Sequence, residues 1–404
     1  MLKVALVTYE TSPNRGSEAA VSWNYITQMS EKIELHVIYS DYEEEIRAFI
    51  QTSPIKNVTW HHIPRQTLND CSGISGNIRF SLNYRKWHKD VFHRVRTLFE
   101  NKEIDICHFL NPIGFKEPGE CWKIEGLPYV WGPIQGVDNF PLSLCYGIGA
   151  KTWIKALLRR VVHNSLFIFL PNVRSAIRRS DIIFGATPAT IAGIRKYHKR
   201  DVEYLAEHSI TEVERNSPIT YQNSEILRLI WVGAVCERKA LKIALSALSK
   251  VKSRNWHLDI LGDGPELDRN KRCFRSLSDN VTFHGKVSRE KVHEFFFNAH
   301  LHLITSLGEA STTVIFEAMS KGIPVLSLDH CGMSAILSHN NGIRVPLGNF
   351  KSVTDSIAKE IDDIIESPQK IRTLSSGALA WAKQHTWDRR RELFLRTYHD
   401  IVND

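Results

Sequence analysis

Two acidic side chains eight residues apart, Glu309 and Glu317, are the strongest candidates for chemistry in this sequence of 404 residues. The spacing alone means little, because glutamate is common and such pairs arise by chance. Glu309 lies in a loop after a strand-like run, whereas Glu317 lies about one turn inside the helix predicted to follow. A carboxylate in that second position can accept hydrogen bonds from both hydroxyls of a ribose. The alternative is a solvent-facing glutamate on an ordinary strand-loop-helix unit.

The start of the same helix predicts a binding site for an anion. Ser311 and Thr312 can cap this helix, and the backbone amides of Thr313 and Val314 come before the first intrahelical acceptor. Unpaired amides at a helix N-terminus bind phosphate groups, and the helix dipole favours the negative charge. We therefore expect a diphosphate at this position, beside a ribose held by Glu317.

A longer pattern surrounds the two glutamates. A strand and a serine precede the Glu-x7-Glu pair, and the run Ala-Met-x-x-Gly-x-Pro-Val follows it at residues 318–325. This segment resembles the signature of the retaining family-4 glycosyltransferases of the GT-B fold. The similarity extends over most of the second half of the chain, through segments 232–233, 237–239, 261–265 and 281–287.

The resemblance implies transfer of a sugar from a nucleoside diphosphate sugar to a glycan or lipid-linked acceptor, with retention of the anomeric configuration. By position, Glu309 would lie beside the donor sugar, Glu317 would bind the ribose, and Lys239 would bind the diphosphate. Gly233 would belong to the same strand-end loop as Lys239. Since that loop is cationic and the sequence has no convincing Asp-x-Asp motif, we predict that neither a metal ion nor a cofactor is needed. The implied setting is the synthesis of a bacterial surface polysaccharide.

Two positions depart from the family pattern. An arginine usually follows the glycine of the cationic loop, where this chain has Ala234. Arg238 is a candidate replacement because a guanidinium can bind phosphate oxygens in a bidentate manner, with a solvated loop residue as the equal alternative. In the first half, His108 matches the first histidine of a His-x-His motif, whereas Leu110 replaces the second. His108 is a candidate catalytic residue, and a structural histidine bonded to backbone is the alternative.

The loop at residues 12–18 follows the first strand-like run and opens a helix. Gly16 in this loop can let the backbone approach the donor phosphates. The loop is similar to the glycine loop of the same enzymes. A plain glycine turn, with Ser17 as helix cap, is equally compatible with the sequence.

Short strands alternate with helices along the whole chain, and this alternation predicts the α/β class. We expect two Rossmann-like doubly wound domains that face a cleft, as in the GT-B fold. The predicted parts are an N-terminal acceptor-binding domain at 1–206, a linker at 207–226, a C-terminal nucleotide-sugar-binding domain at 227–380, and a helix at 381–404 that packs back on the N-terminal domain.

Composition restricts the location and the partners. Seven scattered cysteines without paired spacing favour reduced thiols and a cytoplasmic protein. Residues 151–200 carry eleven basic side chains and one acidic one, interleaved with apolar residues. Such an amphipathic surface fits an anionic membrane face or a lipid-diphosphate acceptor, so we expect peripheral association with the inner face of the cytoplasmic membrane. A merely solvated basic face is nearly as compatible, and nucleic acid ranks lower because no recognised nucleic-acid module accompanies the segment.

Four other functions compete with sugar transfer. A nucleotide-sugar epimerase would use more carboxylates in the cleft, and a phosphorylase would use a lysine-linked cofactor. A non-catalytic nucleotide-sugar or membrane-surface binding protein is compatible with Ala234 and Leu110. A dinucleotide oxidoreductase is disfavoured, because no G-x-G-x-x-G motif follows the first strand.

Overall fold

The computed structural model describes residues 1–16, 18–65, 73–222 and 224–403. Ser17, the alternative helix cap, and Cys71 lie outside the described residues. The chain forms two compact units. Unit 1 comprises Met1–Val137, His163–Glu207 and Asp388–Asp404, and unit 2 comprises Asp138–Val162 and His208–Trp387. The six cysteines for which the structure gives a state are free thiols.

Strands and helices alternate along the described chain, as predicted. In chain order, the elements are β1 (Lys3–Thr8), α1 (Glu18–Met29), β2 (Glu34–Tyr39), α2 (Glu43–Thr52), β3 (Val58–His62), α3 (Gly73–Glu100), β4 (Ile106–Asn111), β5 (Tyr129–Ile134), α4 (Leu142–Ile148), α5 (Ala150–Phe169), α6 (Pro171–Arg179), β6 (Ile182–Gly185), α7 (Pro188–His198), β7 (Glu203–Tyr204), β8 (Leu227–Val232), α8 (Leu241–Leu248), β9 (Trp256–Leu261), α9 (Leu267–Cys273), β10 (Val281–Gly285), α10 (Arg289–Asn298), β11 (Leu301–Ile304), α11 (Thr313–Ser320), β12 (Val325–Leu328), α12 (Met333–Ile336), β13 (Gly342–Val345), α13 (Phe350–Glu366), α14 (Gln369–Gln384) and α15 (Trp387–Asn403).

Unit 1 is built on a seven-stranded sheet in the order β3-β2-β1-β4-β5-β6-β7. The paired strands run parallel. Its central strands β4 and β5 are buried along their whole length, as expected for a parallel sheet covered by helices on both faces. On α3, the side chains of Trp87, Val91, Val95 and Leu98 recur at helical spacing and join this core.

Unit 2 is built on a six-stranded sheet in the order β10-β9-β8-β11-β12-β13, also with parallel pairs. The strand order reverses between β8 and β11, which lie side by side. Because parallel strands end at the same edge of a sheet, the loops after β8, β9, β10 and β11 meet there. These loops carry the candidate residues of the second half of the chain.

Residues 138–162, with α4 and the first part of α5, group with unit 2, whereas the sequence pattern placed them in the N-terminal domain. The contacts explain this grouping. A Cβ atom on Gly147 would lie 2.1 Å from Cβ of Phe350, so α4 and α13 approach closely. The ammonium of Lys242 on α8 donates to the carbonyl of Ile148 at 3.0 Å.

The C-terminal helix packs on unit 1, as predicted, but it is interrupted. The sequence pattern suggested one helix from Trp381, whereas α14 ends at Gln384 and α15 begins at Trp387. Between them, the amide of Ile210 donates to the carbonyl of His385, and the amide of Trp387 donates back to Ile210, both at 2.9 Å. The resulting bridge between Ile210 and Thr386 separates α14 from α15. In unit 1, the ring of Phe394 packs edge-on against Tyr25, with centroids 5.1 Å apart.

Within the described part of the chain, no helix is both long and apolar enough to cross a membrane.

Candidate functional site

The loop after β8 positions Lys239. Gly233, the first residue of the loop, has a φ angle of 150°, and a Cβ atom there would lie 3.3 Å from Cε of Lys239. Gly262 in the next loop also has a φ angle of 150°, and its Cβ would lie 1.8 Å from the carbonyl oxygen of Gly233. Only glycine allows these two backbones and the lysine stem to approach so closely.

The loop after β11 is tied to the same segment by hydrogen bonds. The amide of Leu307 donates to the carbonyl of Arg238 at 2.8 Å. The hydroxyl of Thr305 donates to the carbonyl of Lys239 at 3.1 Å and accepts from the indole of Trp231 at 3.2 Å. These bonds connect two loops that are far apart in sequence and hold them next to each other at the edge of the sheet.

Glu309 lies between the two cations. The Lys239 ammonium is 2.7 Å from Oε1 of Glu309, and the guanidinium of Arg238 donates to the same oxygen. The Glu309 and Lys239 side chains are each 12% exposed, whereas that of Arg238 is 45% exposed. Arg238 also donates to the carbonyl of Gly308 at 3.1 Å. The structure thus brings Arg238, Lys239 and Glu309 together, as predicted site residues. The Glu309 carboxylate forms ion pairs with both cations.

Glu317 lies inside α11, about one turn from its start, as the sequence pattern indicated. Its carboxylate is 3.4 Å from the guanidinium of Arg289, and its side chain is 17% exposed. Arg289 is the first residue of α10 and was not a predicted site residue. Arg289 and Glu317 are 28 positions apart, so no local sequence pattern links them. The sequence signal for Arg289 is its place directly after the β10 loop.

The N-terminus of α11 differs in one respect from the prediction. Thr312 is the N-cap residue, with extended backbone, but its side chain makes no capping hydrogen bond. The hydroxyl of Thr313 instead bonds to the Nε2 atom of His208, at 2.9 Å. Ser311 is 2% exposed. The amides of Thr313 and Val314 occupy the first two helical positions, where a helix offers no internal acceptor.

A cavity of about 310 Å³ opens beside the loop after β8. It is lined by residues 232–234, 261–263 and 286–287 together with Val292. Ala234, which replaces the arginine of the family pattern, is therefore part of a mainly apolar wall. Asp263 and Lys286 are the charged residues of this lining.

His108 occupies a different environment from that of a catalytic histidine. Its side chain is fully buried in unit 1, where Nδ1 is 2.6 Å from the Tyr398 hydroxyl and Nε2 is 2.8 Å from the carbonyl of Gly132. Burial lowers the pKa of His108 to about 4, because desolvation disfavours the imidazolium. Both ring nitrogens are already bonded, so the structure does not support the catalytic role. It favours the structural alternative.

Among the residues that the structure describes, a Cβ atom on Gly16 in unit 1 would meet no atom within 4 Å. Packing against these residues therefore does not require glycine at this position. The preceding residue, Arg15, is held by Glu45, with Nε 2.8 Å from Oε1. The phosphate-binding role of Gly16 stays a prediction.

The described residues include no group of three or more histidine, cysteine, aspartate or glutamate side chains that could hold a metal ion. This observation does not test metal independence, which also stays a prediction.

The region that contains these loops matches a known protein family. Residues 227–363 match the family described as glycosyl transferases group 1. The matched region carries Gly233, Arg238, Lys239, Glu309 and Glu317. Residues 16 and 108 lie outside it.

The curated relatives of this chain are distant. Protein CapJ of Staphylococcus aureus is 23% identical over 319 residues, which are 74% of this chain and 74% of that protein. The lipopolysaccharide 1,6-galactosyltransferase of Escherichia coli strain K12 is 31% identical over 114 residues, or 27% of this chain and 32% of that enzyme. With the first curated relatives, the chain spans 40%, 34% and 12% of their lengths.

Solved structures establish the fold. HepE of Anabaena, in complex with UDP and glucose, superposes with a TM-score of 0.62 at 15% identity, covering 99% of this chain and 100% of that one. The two α/β units with parallel sheets are those of the GT-B fold, so the predicted fold class is confirmed.

Proposed function

We propose that this protein is a glycosyltransferase that moves a sugar from a nucleoside diphosphate sugar to a glycan or lipid-linked acceptor. The observation that carries the proposal is the convergence of Lys239 and Arg238 on one carboxylate, Glu309, in the group 1 region. A departing nucleoside diphosphate gains negative charge in the transition state. Cations and helix-terminal amides that are already in place stabilise that charge without reorganisation.

We assign to the site residues the roles that the family resemblance implies. Lys239 and Arg238 bind the diphosphate, assisted by the amides of Thr313 and Val314, and Glu317 binds the ribose. Glu309 lies on the sugar side of the diphosphate. The apolar cavity beside Gly233 and Ala234 accommodates the nucleoside. The cationic loop makes a divalent ion unnecessary for leaving-group stabilisation.

Retention of the anomeric configuration and a role in polysaccharide synthesis are proposed from resemblance to other enzymes. The Glu-x7-Glu pattern is similar to that of retaining enzymes, in which the leaving phosphate can accept the proton of the acceptor on the front face. HepE was solved with UDP and glucose, and the E. coli relative acts on lipopolysaccharide. These names support a nucleotide-sugar donor and the synthesis of a bacterial surface polysaccharide.

The first test is whether nucleotide sugars bind through Glu317. We expect a nucleoside diphosphate sugar to raise the Tm of the wild type, and Glu317→Ala to weaken its binding about tenfold to 100-fold, since hydrogen bonds to a charged group contribute about 1.5–3 kcal/mol. The measurement is a thermal-shift and hydrolysis screen across nucleotide sugars. Glu294→Ala is the matched control, because Glu294 lies on the exposed side of α10 and pairs with Lys291.

A comparison of UDP and GDP with their 2′-deoxy forms shows whether Glu317 contacts the ribose. The wild type should prefer the ribonucleotide, and Glu317→Ala should bind both forms equally. The donor-site assignment fails if no nucleotide sugar stabilises the wild type, or if Glu317→Ala responds as the wild type does.

A non-catalytic nucleotide-sugar binding protein is the second candidate. Ala234 and Leu110 favour it, because they replace the arginine of the cationic loop and the second histidine of the His-x-His motif. Turnover of a nucleotide sugar in the presence of acceptor excludes this candidate.

We further propose that α5 mediates peripheral association with an anionic membrane. Four apolar side chains form a row on one helical face and are strongly exposed: Ile154, Leu158, Val161 and Val162, at 52%, 62%, 59% and 52%. Lys151 and Lys155 are exposed beside this row. An apolar stripe with flanking lysines is the pattern that binds to the interface of an anionic bilayer.

Charge placed in the apolar row should weaken membrane binding strongly. In sedimentation with vesicles containing phosphatidylglycerol, we expect Leu158→Glu combined with Val161→Glu to lower the bound fraction at least tenfold, because burial of each apolar side chain contributes about 1.5–3 kcal/mol. Ile226→Glu, at another exposed apolar residue of unit 2, is the control. Equal vesicle binding by the double variant and the control would contradict membrane binding through the apolar row of α5.

A further inference from the structure

Arg159 directly follows Leu158 of the exposed apolar row, about 100° further around α5, and belongs to unit 2. Its guanidinium carbon is 4.3 Å from the centroid of the Phe140 ring, a cation–π contact within the same unit. The side chain is half-buried. Arg159 is one of the eleven basic residues of the segment 151–200.

Phe140 connects Arg159 to the candidate site. A Cβ atom on Gly308 would lie 2.5 Å from Cε1 of Phe140, so the aromatic ring packs directly on the backbone of Gly308. The carbonyl of Gly308 accepts a hydrogen bond from Arg238, and Glu309 follows in the chain. Arg159 and Arg238 therefore approach the same short loop, one through an aromatic ring and the other directly.

The hydrogen bonding of Arg159 is incomplete. Its Nη1 atom is buried and has no hydrogen-bond partner among the residues that the structure describes. Burial lowers the pKa of Arg159. The nearby charge of Arg238 lowers this pKa further, whereas Cys331 and Asp138 act in the opposite direction and raise it. A buried N–H donor without an acceptor is costly, and two guanidinium groups that repel each other add to the cost. An anion bound between them would relieve both.

We infer that Arg159 is a donor-binding residue that contributes the second guanidinium contact to the diphosphate, in place of the arginine that Ala234 replaces. This inference rests on the proposed function and extends its donor site to α5. A guanidinium suits this position because its planar N–H groups bind two phosphate oxygens at once. Gly308 and Phe140 are positioning residues in this arrangement, since they set the distance between α5 and the loop.

The test is the affinity of nucleotides that differ in their phosphates. Isothermal titration compares UDP with UMP, and GDP with GMP, on the full chain of the wild type and of Arg159→Ala, Arg159→Lys and Arg160→Ala. We expect Arg159→Ala to weaken diphosphate binding about tenfold to 100-fold and monophosphate binding less than threefold, with partial recovery in Arg159→Lys. Arg160→Ala is the matched control because Arg160 is the exposed neighbour on the same helix.

The outcomes separate this inference from the proposed function. If the wild type binds a nucleoside diphosphate and Arg159→Ala binds it equally well, the role of Arg159 is wrong and the proposed function stands. If diphosphate and monophosphate affinities fall together, Arg159 only supports the packing of Phe140, and the inference is overturned. If the wild type binds no nucleoside diphosphate, both fail. Should Arg159→Ala not fold, Arg159→Lys still discriminates, because a structural role predicts no phosphate selectivity.

Discussion

Lys239→Ala is expected to lower kcat/KM for the nucleotide-sugar donor by about 100- to 1,000-fold, the cost of removing one group that stabilises developing charge. Lys239 is only 12% exposed and lies 2.7 Å from Glu309, so its ammonium is held where bulk water screens it little. Because the departing diphosphate carries more charge in the transition state than in the ground state, most of the loss should appear in kcat.

Steady-state kinetics with the donor identified by the thermal-shift screen measures this effect. Lys271→Ala is the control, since Lys271 lies on the exposed surface of α9 in the same unit. A Lys239→Ala enzyme with kcat within threefold of the wild type would show that the ammonium does not stabilise the leaving group. Lys239→Arg should recover part of the activity by retaining the charge.

Glu309→Gln is expected to change turnover and product affinity in opposite directions. The Glu309 carboxylate forms ion pairs with Arg238 and Lys239, the two cations to which we assign binding of the diphosphate. Removal of its charge frees both cations and removes repulsion of the ligand, so a nucleoside diphosphate should bind about fivefold to tenfold more tightly, equivalent to roughly 1 kcal/mol. Turnover should fall about 100-fold, because the sugar loses the charged group beside it.

Titration calorimetry at two salt concentrations, together with single-turnover kinetics, tests this prediction. The gain in affinity should shrink as ionic strength rises, since salt screens the charges. Glu237→Gln is the matched control, because Glu237 lies in the same loop as Lys239 but pairs with Lys155. Unchanged or weaker diphosphate binding by Glu309→Gln would contradict the idea that this carboxylate competes with the ligand.

The helix α5 presents two different faces within unit 2. Leu158 is exposed in the apolar row, whereas the next residue, Arg159, turns inward to Phe140. Consecutive residues of a helix point about 100° apart, so one short segment can serve both a membrane surface and a ligand site. The Leu158 and Arg159 variants should therefore separate membrane binding from nucleotide binding.

Local sequence determined the elements and the positions of the two glutamates. The strands β8 and β9 and the helix α11 coincide with apolar runs and helical periodicity, which depend on residues near each other in the chain. The place of Glu317 one turn inside a helix follows directly from that periodicity. The resemblance around residues 318–325 then indicated the kind of ligand.

Only the tertiary structure decided which side chains meet. The pair of Arg238 and Glu309 joins positions 71 residues apart, and that of Arg289 and Glu317 joins positions 28 apart. His108 lies on β4, but its burial against Tyr398 depends on a helix 290 residues further along the chain. Arg159 and Phe140 reach the candidate loop because residues 138–162 pack within unit 2. These contacts depend on long-range packing of helices and loops, which composition and periodicity do not encode.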